Sequence, residues 1–183
     1  MLKSIDYRGS LLYYQDEGKG SPVILLHGFG ESGSIWTEQI NFLSAYFRII
    51  TPDLPGSGSS KMPEAIDSFL TMEDYADSIN LILEKENIHI CTLIGHSMGG
   101  YITLAFAAKF PEKLNGFGLF HSTANADSVE KKTAREKSMV FIQSHGPKAF
   151  LEEAIPNLYG AVYKAKNQEG LAQHVEESSN ISA

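Results

Sequence analysis

The amino-acid sequence predicts an α/β protein built on a doubly wound, mostly parallel sheet. Short apolar runs rich in β-branched residues alternate with segments of helical periodicity, which is the pattern of strands joined by crossover helices. Glycine clusters follow several of these runs, as expected where a strand turns tightly into a helix. The predicted parallel strands are residues 23–26, 47–51, 90–94 and 114–120.

The first part of the chain begins with a predicted antiparallel hairpin. Apolar residues alternate on either side of Arg8-Gly9-Ser10, a sequence suited to a tight turn. A helix is then predicted over residues 34–43. A longer helix is predicted over residues 71–86, because Thr71 is placed to cap it, Asp74 lies at the third helical position, and apolar residues recur at helical spacing.

Further along, the character of the sequence changes. Residues 101–110 are apolar nearly all round and predict a buried helix that ends before Pro111. From Ala124 onward, charged helical segments follow one another with no strand between them. We therefore expect a sheet-containing core over residues 1–123 and a helical segment over residues 124–183. The predicted helices of that segment cover residues 128–144, 148–154 and 170–177.

Composition and charge restrict the classes of protein. The 183-residue chain can bury a sizeable core, and 43% hydrophobic with 20% charged residues is ordinary for a globular protein. A net charge of −7 without a Lys/Arg stripe opposes binding to nucleic acid or to anionic membranes. Cys91 is the single cysteine and the N-terminus lacks a signal-peptide core, so we expect a cytoplasmic protein without membrane spans. The six histidines have no metal-ligand spacing, so no metal site is expected.

The most informative segment is Gly95-His96-Ser97-Met98-Gly99, which lies between a predicted strand and a predicted helix. A serine at such a junction occupies a sharply turned backbone. Glycines two residues on either side are needed because the strand and the helix pass too closely for a Cβ atom. This geometry projects the Ser97 hydroxyl out of the sheet, above the N–H groups and the positive dipole end of the helix. The segment predicts a nucleophile elbow, with Ser97 as nucleophile and Gly95 and Gly99 as its supports.

A second turn complements the first, since the strand before it ends in His27-Gly28-Phe29. Acyl transfer through a serine requires two backbone N–H donors directed at the oxyanion of the tetrahedral intermediate. The N–H of Met98, directly after the nucleophile, is one predicted donor, and the N–H of Phe29 is the other. His27 and Gly28 are expected to support this turn. Both His27 and His96 are expected to make local hydrogen bonds to the backbone.

Together, the two turns make the sequence resemble the α/β-hydrolase family, in particular its esterase, lactonase and haloperoxidase-like branch carrying H-G-F-G and G-H-S-M-G-G. The resemblance is close over residues 11–123. It implies a serine hydrolase that cleaves ester-type bonds in small apolar acyl substrates through an acyl-enzyme on Ser97, with no cofactor. It also implies that the segment 124–183 is a cap whose apolar side chains face the pocket. These side chains are Phe141, Ile142, Phe150, Leu151, Ile155, Leu158 and Tyr159.

Two other functions remain open from the sequence. A non-catalytic, ligand-binding member of the same fold would keep the pocket, although binding alone does not require a strained serine. A dinucleotide-binding oxidoreductase is suggested by Gly28, Gly30 and Gly33, which spell G-x-G-x-x-G, with Asp53 about twenty residues later. Against it, hairpin-like sequence precedes the strand and the Ser97 elbow is left unexplained. Asp53 is more simply interpreted as closing its own turn.

The resemblance also implies an acid and a histidine after the nucleophile, in the order Ser, Asp or Glu, His. No strand-like run follows Phe120, so we expect the last two strands and both remaining triad members to lie outside this chain. The 183 residues alone are therefore expected to hydrolyse esters only weakly, because no imidazole would activate Ser97. His121 is the best-placed substitute, but the residues after it are typical of the start of a cap. The strand at 114–120 would then be an apolar edge. Through it we expect either a homo-oligomer or association with the missing C-terminal fragment.

Overall fold

The computed structural model describes residues 1–64 and 69–178, which form two compact units. The first unit, Met1–Ala124, carries the sheet, and the second, Asn125–Ala183, is helical in its described residues. The strands are β1 (Leu2–Tyr7), β2 (Ser10–Gly18), β3 (Pro22–Leu26), β4 (Arg48–Pro52), β5 (Cys91–His96) and β6 (Leu114–Phe120). The helices are α1 (Thr37–Leu43), α2 (Met72–Lys85), α3 (Met98–Lys109), α4 (Val129–Ala154), α5 (Ala161–Lys166) and α6 (Gln168–Ser178).

The described strands form a six-stranded sheet in the order β1-β2-β4-β3-β5-β6. β1 and β2 form the predicted hairpin, and its turn places Arg8 and Gly9 at φ of 52° and 84°, a conformation that Gly9 adopts without steric cost. β2 also pairs antiparallel with β4. The pairs β3–β4, β3–β5 and β5–β6 are parallel, which confirms the prediction of a mostly parallel sheet.

Helices cover both faces of the sheet because the side chains of the central strands alternate in direction. Ile24 and Leu26 of β3 join the larger core cluster, which includes buried residues of α2 and α3. Val23 and Leu25 join a second cluster that contains the buried side chains of Trp36 and Ile40. Trp36 directly precedes α1, and Ile40 lies within it. The two clusters on one strand account for the doubly wound arrangement.

The predicted cap of α2 is present. The Thr71 hydroxyl accepts a hydrogen bond from the Asp74 N–H at 3.2 Å, and the Asp74 carboxylate accepts one from the Thr71 N–H at 2.8 Å. Hydrogen bonds from the backbone and the hydroxyl of Thr71 lower the pKa of Asp74 to about 2. Each of these bonds satisfies an N–H group at the helix start that has no intrahelical acceptor.

A half-buried network of charged side chains joins the hairpin to the end of α2. Arg48 donates to both carboxylate oxygens of Asp16, at 3.0 and 2.7 Å, and also contacts Glu86. Lys3 reaches Asp16 and Glu86, at 2.7 Å each, and the Tyr14 hydroxyl donates to Glu86 at 2.7 Å. Since both carboxylates are shielded from water and multiply bonded, the network fixes β1, β2 and β4 relative to α2.

Some element boundaries differ from the sequence predictions. β5 begins at Cys91, because Asn87 adopts a φ of 53° and the Ile88 N–H donates to the Leu83 carbonyl, which ends α2 with a tight turn. Burial raises the pKa of the Cys91 thiol to about 11. α3 begins at Met98 instead of Tyr101, directly after the serine of the elbow, and it buries one face only.

In the helical unit, the first two predicted helices lie within α4 and are separated by a kink at Gly146, whose backbone is not helical. α4 contains Gly146 at a φ of 83°, followed by Pro147, whose missing N–H interrupts the hydrogen-bond ladder. The short helix α5 was not predicted, since six residues hold too few turns for a periodic pattern. Of the predicted pocket-facing residues, Leu151 is buried whereas Leu158 is 66% exposed.

β6 is the outermost described strand on its side of the sheet. Its side chains Phe117 and Phe120 are about half exposed, at 52% and 50%. Association through this edge stays a prediction. No helix in the described part of the chain combines the length and the apolar character needed to span a membrane.

We expect the charge of Asp74 to stabilise the fold in a pH-dependent way. The folded-state pKa lies below the ordinary value of 3.8, so the contribution is present above about pH 4 and is lost as the pH falls toward 2. Asp74→Asn should lower the free energy of unfolding by about 1 kcal/mol at pH 7 and by much less near pH 2. Urea denaturation followed by circular dichroism measures both values. The exposed neighbour Glu73 provides the control, and an equal loss in Glu73→Gln would contradict a specific role for the cap.

Candidate functional site

Ser97 lies at the junction of β5 and α3 in a conformation that few residues adopt, with φ of 50° and ψ of −113°. A Cβ atom on Gly95 would overlap the carbonyl oxygen of Gly99. A Cβ atom on Gly99 would lie 2.7 Å from the carbonyl oxygens of both Leu26 and His27. At Gly95 and Gly99, β5, α3 and the end of β3 therefore contact one another through backbone atoms, with no side chain between them. This is the contact that the glycine spacing predicts.

Hydrogen bonds hold the backbone of Ser97 on both sides and leave its side chain exposed. The Ser97 N–H donates to the Phe120 carbonyl at 3.1 Å. The Ser97 carbonyl accepts from the Gly100 N–H at 3.0 Å and from the Ser122 hydroxyl at 2.8 Å. Within residues 1–64 and 69–178, no side chain is hydrogen-bonded to the Ser97 hydroxyl, which does not cap α3 either. The hydroxyl is therefore open to solvent above the start of the helix.

The contribution of Ser122 was missed by sequence reasoning. His121 adopts a φ of 47°, which turns the chain after β6 back toward the elbow and brings the Ser122 hydroxyl to the Ser97 carbonyl. A Cβ atom on Gly100 would lie 2.5 Å from the Ser122 Cβ atom. Gly100, the last glycine of the G-H-S-M-G-G motif, is the signal that could have pointed to this contact, because it makes room for Ser122.

The turn after β3 lies against the elbow. A Cβ atom on Gly28 would lie 3.1 Å from the Ser97 Cβ atom, so the two predicted site segments meet at this point. Phe29 follows with a 51% exposed side chain. Met98 is the first residue of α3, where N–H groups have no intrahelical acceptor. The structure therefore brings together the nucleophile candidate and the two segments that carry the predicted N–H donors.

His27 is fully buried and uses both ring nitrogens for backbone contacts. Its Nε2 atom accepts a hydrogen bond from the Leu54 N–H at 2.9 Å, so the proton is on Nδ1, which donates to the Gly28 carbonyl at 2.8 Å. Burial lowers the pKa of His27, because desolvation disfavours the charged ring. The prediction of local backbone hydrogen bonds is thus confirmed for this residue.

His96 does not follow that prediction. Its Nδ1 atom lies 2.8 Å from Oε2 of Glu31, a side chain 65 residues away in the sequence. The same oxygen accepts the Gly28 N–H at 2.6 Å. Burial raises the pKa of the Glu31 carboxyl, but the bonds from His96 and Gly28 outweigh that effect and the net pKa is lowered. Sequence reasoning missed Glu31, and the only local signal was an acid in a loop of glycine and serine.

Four rings cluster beside the elbow. Phe120 contacts Trp36, His96 and His121 at centroid distances of 6.0, 5.9 and 4.6 Å. The His121 ring also packs edge-on to His96 at 6.3 Å. His121 therefore lies next to the elbow, and its contacts are with these rings and not with the Ser97 hydroxyl.

Two carboxylates bond the loop that spells G-x-G-x-x-G: Glu31 lies within the loop, and Asp53 follows β4. Glu31 accepts the Gly28 N–H, and Asp53 accepts the Gly33 N–H at 2.9 Å and the Ser59 N–H at 2.8 Å. Asp53 therefore closes its own turn, as the sequence indicated. This arrangement opposes the dinucleotide alternative, because a pyrophosphate would need the same N–H groups and would meet two carboxylates.

The elbow geometry yields a stability prediction. In Gly95→Ala the new methyl group overlaps backbone atoms that cannot move without separating β5 from α3. We therefore expect the free energy of unfolding to fall by roughly 3 kcal/mol. Gly116 of the adjacent strand has open space around a Cβ atom, and Gly116→Ala should change stability by less than about 1 kcal/mol. Chemical denaturation of both variants measures the difference. Equal stabilities would show that the close approach is not rigid.

A sequence model for a family described as having the alpha/beta hydrolase fold matches residues 21–152. An abhydrolase domain-containing protein, abhd-5.2 of Caenorhabditis elegans, is 32% identical over 71% of this chain and 31% of its own length. A putative carbamate hydrolase, RutD of Variovorax paradoxus, is 31% identical over 90% of this chain and 62% of its own length.

Solved structures agree with these relatives. A thermophilic esterase from Thermogutta terrifontis superposes with a TM-score of 0.85 at 31% identity, covering 98% of this chain and 70% of the esterase. A carboxylesterase from Nitrososphaera gargenis gives a TM-score of 0.83 at 26% identity, covering 100% of this chain and 67% of that one. The chain spans about half the length of the curated relatives it matches. The sheet order, the serine elbow and these matches lead to one conclusion: the chain belongs to the α/β-hydrolase fold family.

Proposed function

We propose that this protein is a serine hydrolase that cleaves ester-type bonds in small apolar acyl substrates, with Ser97 as the nucleophile. The observation that carries the proposal is the positive φ of Ser97 combined with an exposed hydroxyl that has no partner in the described part of the chain. Such a conformation costs about 1–3 kcal/mol and persists where the surroundings enforce it. A purely structural serine would gain nothing from this strain.

The proposed chemistry is acyl transfer in two halves. The Ser97 oxygen attacks the substrate carbonyl, and the carbonyl π electrons move onto its oxygen to give a tetrahedral oxyanion. The N–H groups of Phe29 and Met98 donate to that oxyanion. On collapse, the general base that took the serine proton returns it to the leaving oxygen, which departs as the alcohol and leaves an acyl group on Ser97. Water then adds to this ester, and a second collapse releases the carboxylic acid and the free serine.

The serine proton must pass to a base, and the histidines near the elbow differ in their ability to accept it. Both ring nitrogens of His27 are bonded to the backbone, so it is excluded. Nδ1 of His96 is bonded to Glu31. His121 packs against His96 and Phe120. The proposal therefore assigns the nucleophile and the oxyanion donors, and it assigns the base to none of these three residues.

The substrate class is supported by the relatives and by the side chains beside the elbow. Two solved relatives are named as an esterase and a carboxylesterase. The half-exposed side chains of Phe29 and Phe120 belong to two segments that meet Ser97, and neither carries a charge that would select a charged acyl group. The described residues include no group of three or more His, Cys, Asp or Glu suited to holding a metal ion. The reaction as proposed uses no cofactor.

Covalent labelling tests the nucleophile. In the complete protein, which includes the segment expected to carry the acid and the histidine, a fluorophosphonate probe should add one equivalent, and the adduct should map to Ser97, because the reagent imitates the tetrahedral intermediate. Ser97→Ala should abolish the adduct in intact-mass measurements. Ser59→Ala removes another exposed serine hydroxyl and should leave labelling unchanged. Labelling that persists in Ser97→Ala would show that Ser97 is not the nucleophile.

A second pair of variants tests the oxyanion donor. Phe29→Pro removes the backbone N–H, whereas Phe29→Ala keeps it and removes only the ring. Loss of one donor costs on the order of a hundredfold in rate, so the labelling rate constant should fall by about that factor in the proline variant. The alanine variant should lose much less. If a folded Phe29→Pro protein reacts at the wild-type rate, the oxyanion donor is another group.

A further inference from the structure

One buried carboxylate joins the two halves of the candidate site. The Glu31 side chain is 8% exposed, and its Oε2 atom accepts hydrogen bonds from Gly28 N–H at 2.6 Å and from His96 Nδ1 at 2.8 Å. Gly28 precedes the proposed oxyanion donor, and His96 precedes the proposed nucleophile. No step of the acyl-transfer chemistry uses either Glu31 or His96, so their contact requires another explanation.

The contacts around Gly28 fix the peptide that carries the Phe29 N–H. A peptide unit is planar, so the direction of the Gly28 carbonyl sets the opposite direction of the Phe29 N–H. His27 Nδ1 donates to that carbonyl at 2.8 Å, while Glu31 holds the N–H on the other side of Gly28. Hydrogen bonds thus fix the peptide groups on both sides of Gly28. The Glu31 carboxylate is also bonded to His96, the last residue of β5.

Because the Glu31 carboxylate is buried, losing either of its hydrogen-bond donors, Gly28 or His96, would destabilise it. A carboxylate removed from water is destabilised unless hydrogen bonds compensate for the lost solvation. The charged and titratable groups that face Glu31 are His96 and His27, and both lower its pKa against the opposing effect of burial. His96 in turn faces Glu31 and the ring of His121. The carboxylate is therefore held between the two loops and cannot turn to solvent without breaking both of its bonds.

We propose that Glu31 and His96 are positioning residues that set the distance and direction of the Phe29 oxyanion donor relative to Ser97. The inference rests on the proposed function, because the donor matters only if Ser97 is acylated. Glu31 acts through Gly28, and His96 acts through Glu31. Neither residue contacts the reacting atoms.

The test compares the rates at which fluorophosphonate labels the complete protein carrying Glu31→Ala, Glu31→Gln or the control Glu38→Ala. Glu31→Ala releases Gly28, and a donor displaced by even 1 Å costs up to about a hundredfold, so labelling should slow by roughly tenfold to a hundredfold. The amide oxygen of Glu31→Gln can accept both hydrogen bonds, so this variant should recover most of the rate. Glu38 is exposed in α1, and its removal changes the net charge equally without touching the site.

A second readout separates positioning from a general loss of stability. Amide ¹H–¹⁵N resonances of Gly28 and Phe29 should shift in Glu31→Ala and return toward wild type in Glu31→Gln. If Glu31→Ala does not fold, His96→Ala keeps the Gly28 bond and should give a severalfold loss with the same resonance shifts. Wild-type labelling rates in folded Glu31→Ala or His96→Ala would overturn this inference and leave the proposed nucleophile standing. Absence of labelling at Ser97 in the complete wild-type protein would overturn the proposed function and this inference together.

Discussion

The contact between β5 and α3 at Ser97 is the constraint on which the rest of the site depends. The two elements touch backbone to backbone, with Gly95 against the Gly99 carbonyl and Gly99 against the carbonyls at the end of β3. This contact turns the chain sharply enough to give Ser97 a positive φ. It also draws the turn after β3 against the elbow, so one packing contact determines where both the hydroxyl and the neighbouring loop lie.

The loops around this contact are organised by internal anions. Glu31 and Asp53 each accept more than one hydrogen bond, and among their donors are N–H groups of the glycine loop that a pyrophosphate would need in a nucleotide-binding protein. The glycine pattern of the loop is common to both kinds of protein. What distinguishes them is the carboxylate that satisfies the loop from within, and this explains why the motif alone left the two functions open.

Features that arise from local sequence could be predicted, whereas those that arise from tertiary contacts could not. The cap formed by Thr71 and Asp74 and the glycines around Ser97 involve residues within a few positions of each other, so their spacing is diagnostic. Ser122 and Glu31 contact the elbow from distant parts of the chain, and no local pattern encodes which hydroxyl or carboxylate arrives there. The early start of α3 follows from the elbow, because Ser97 itself ends the turn.

The position of Cys91 has a practical consequence. The thiol lies at the buried start of β5, and its raised pKa keeps it protonated at neutral pH. Maleimides and iodoacetamide react with accessible thiolates, so the native protein should behave toward them as if it had no cysteine in its folded state. A cysteine engineered at an exposed position could therefore carry a fluorophore or a spin label alone. Reaction of Cys91 itself would report that the core around β5 has opened.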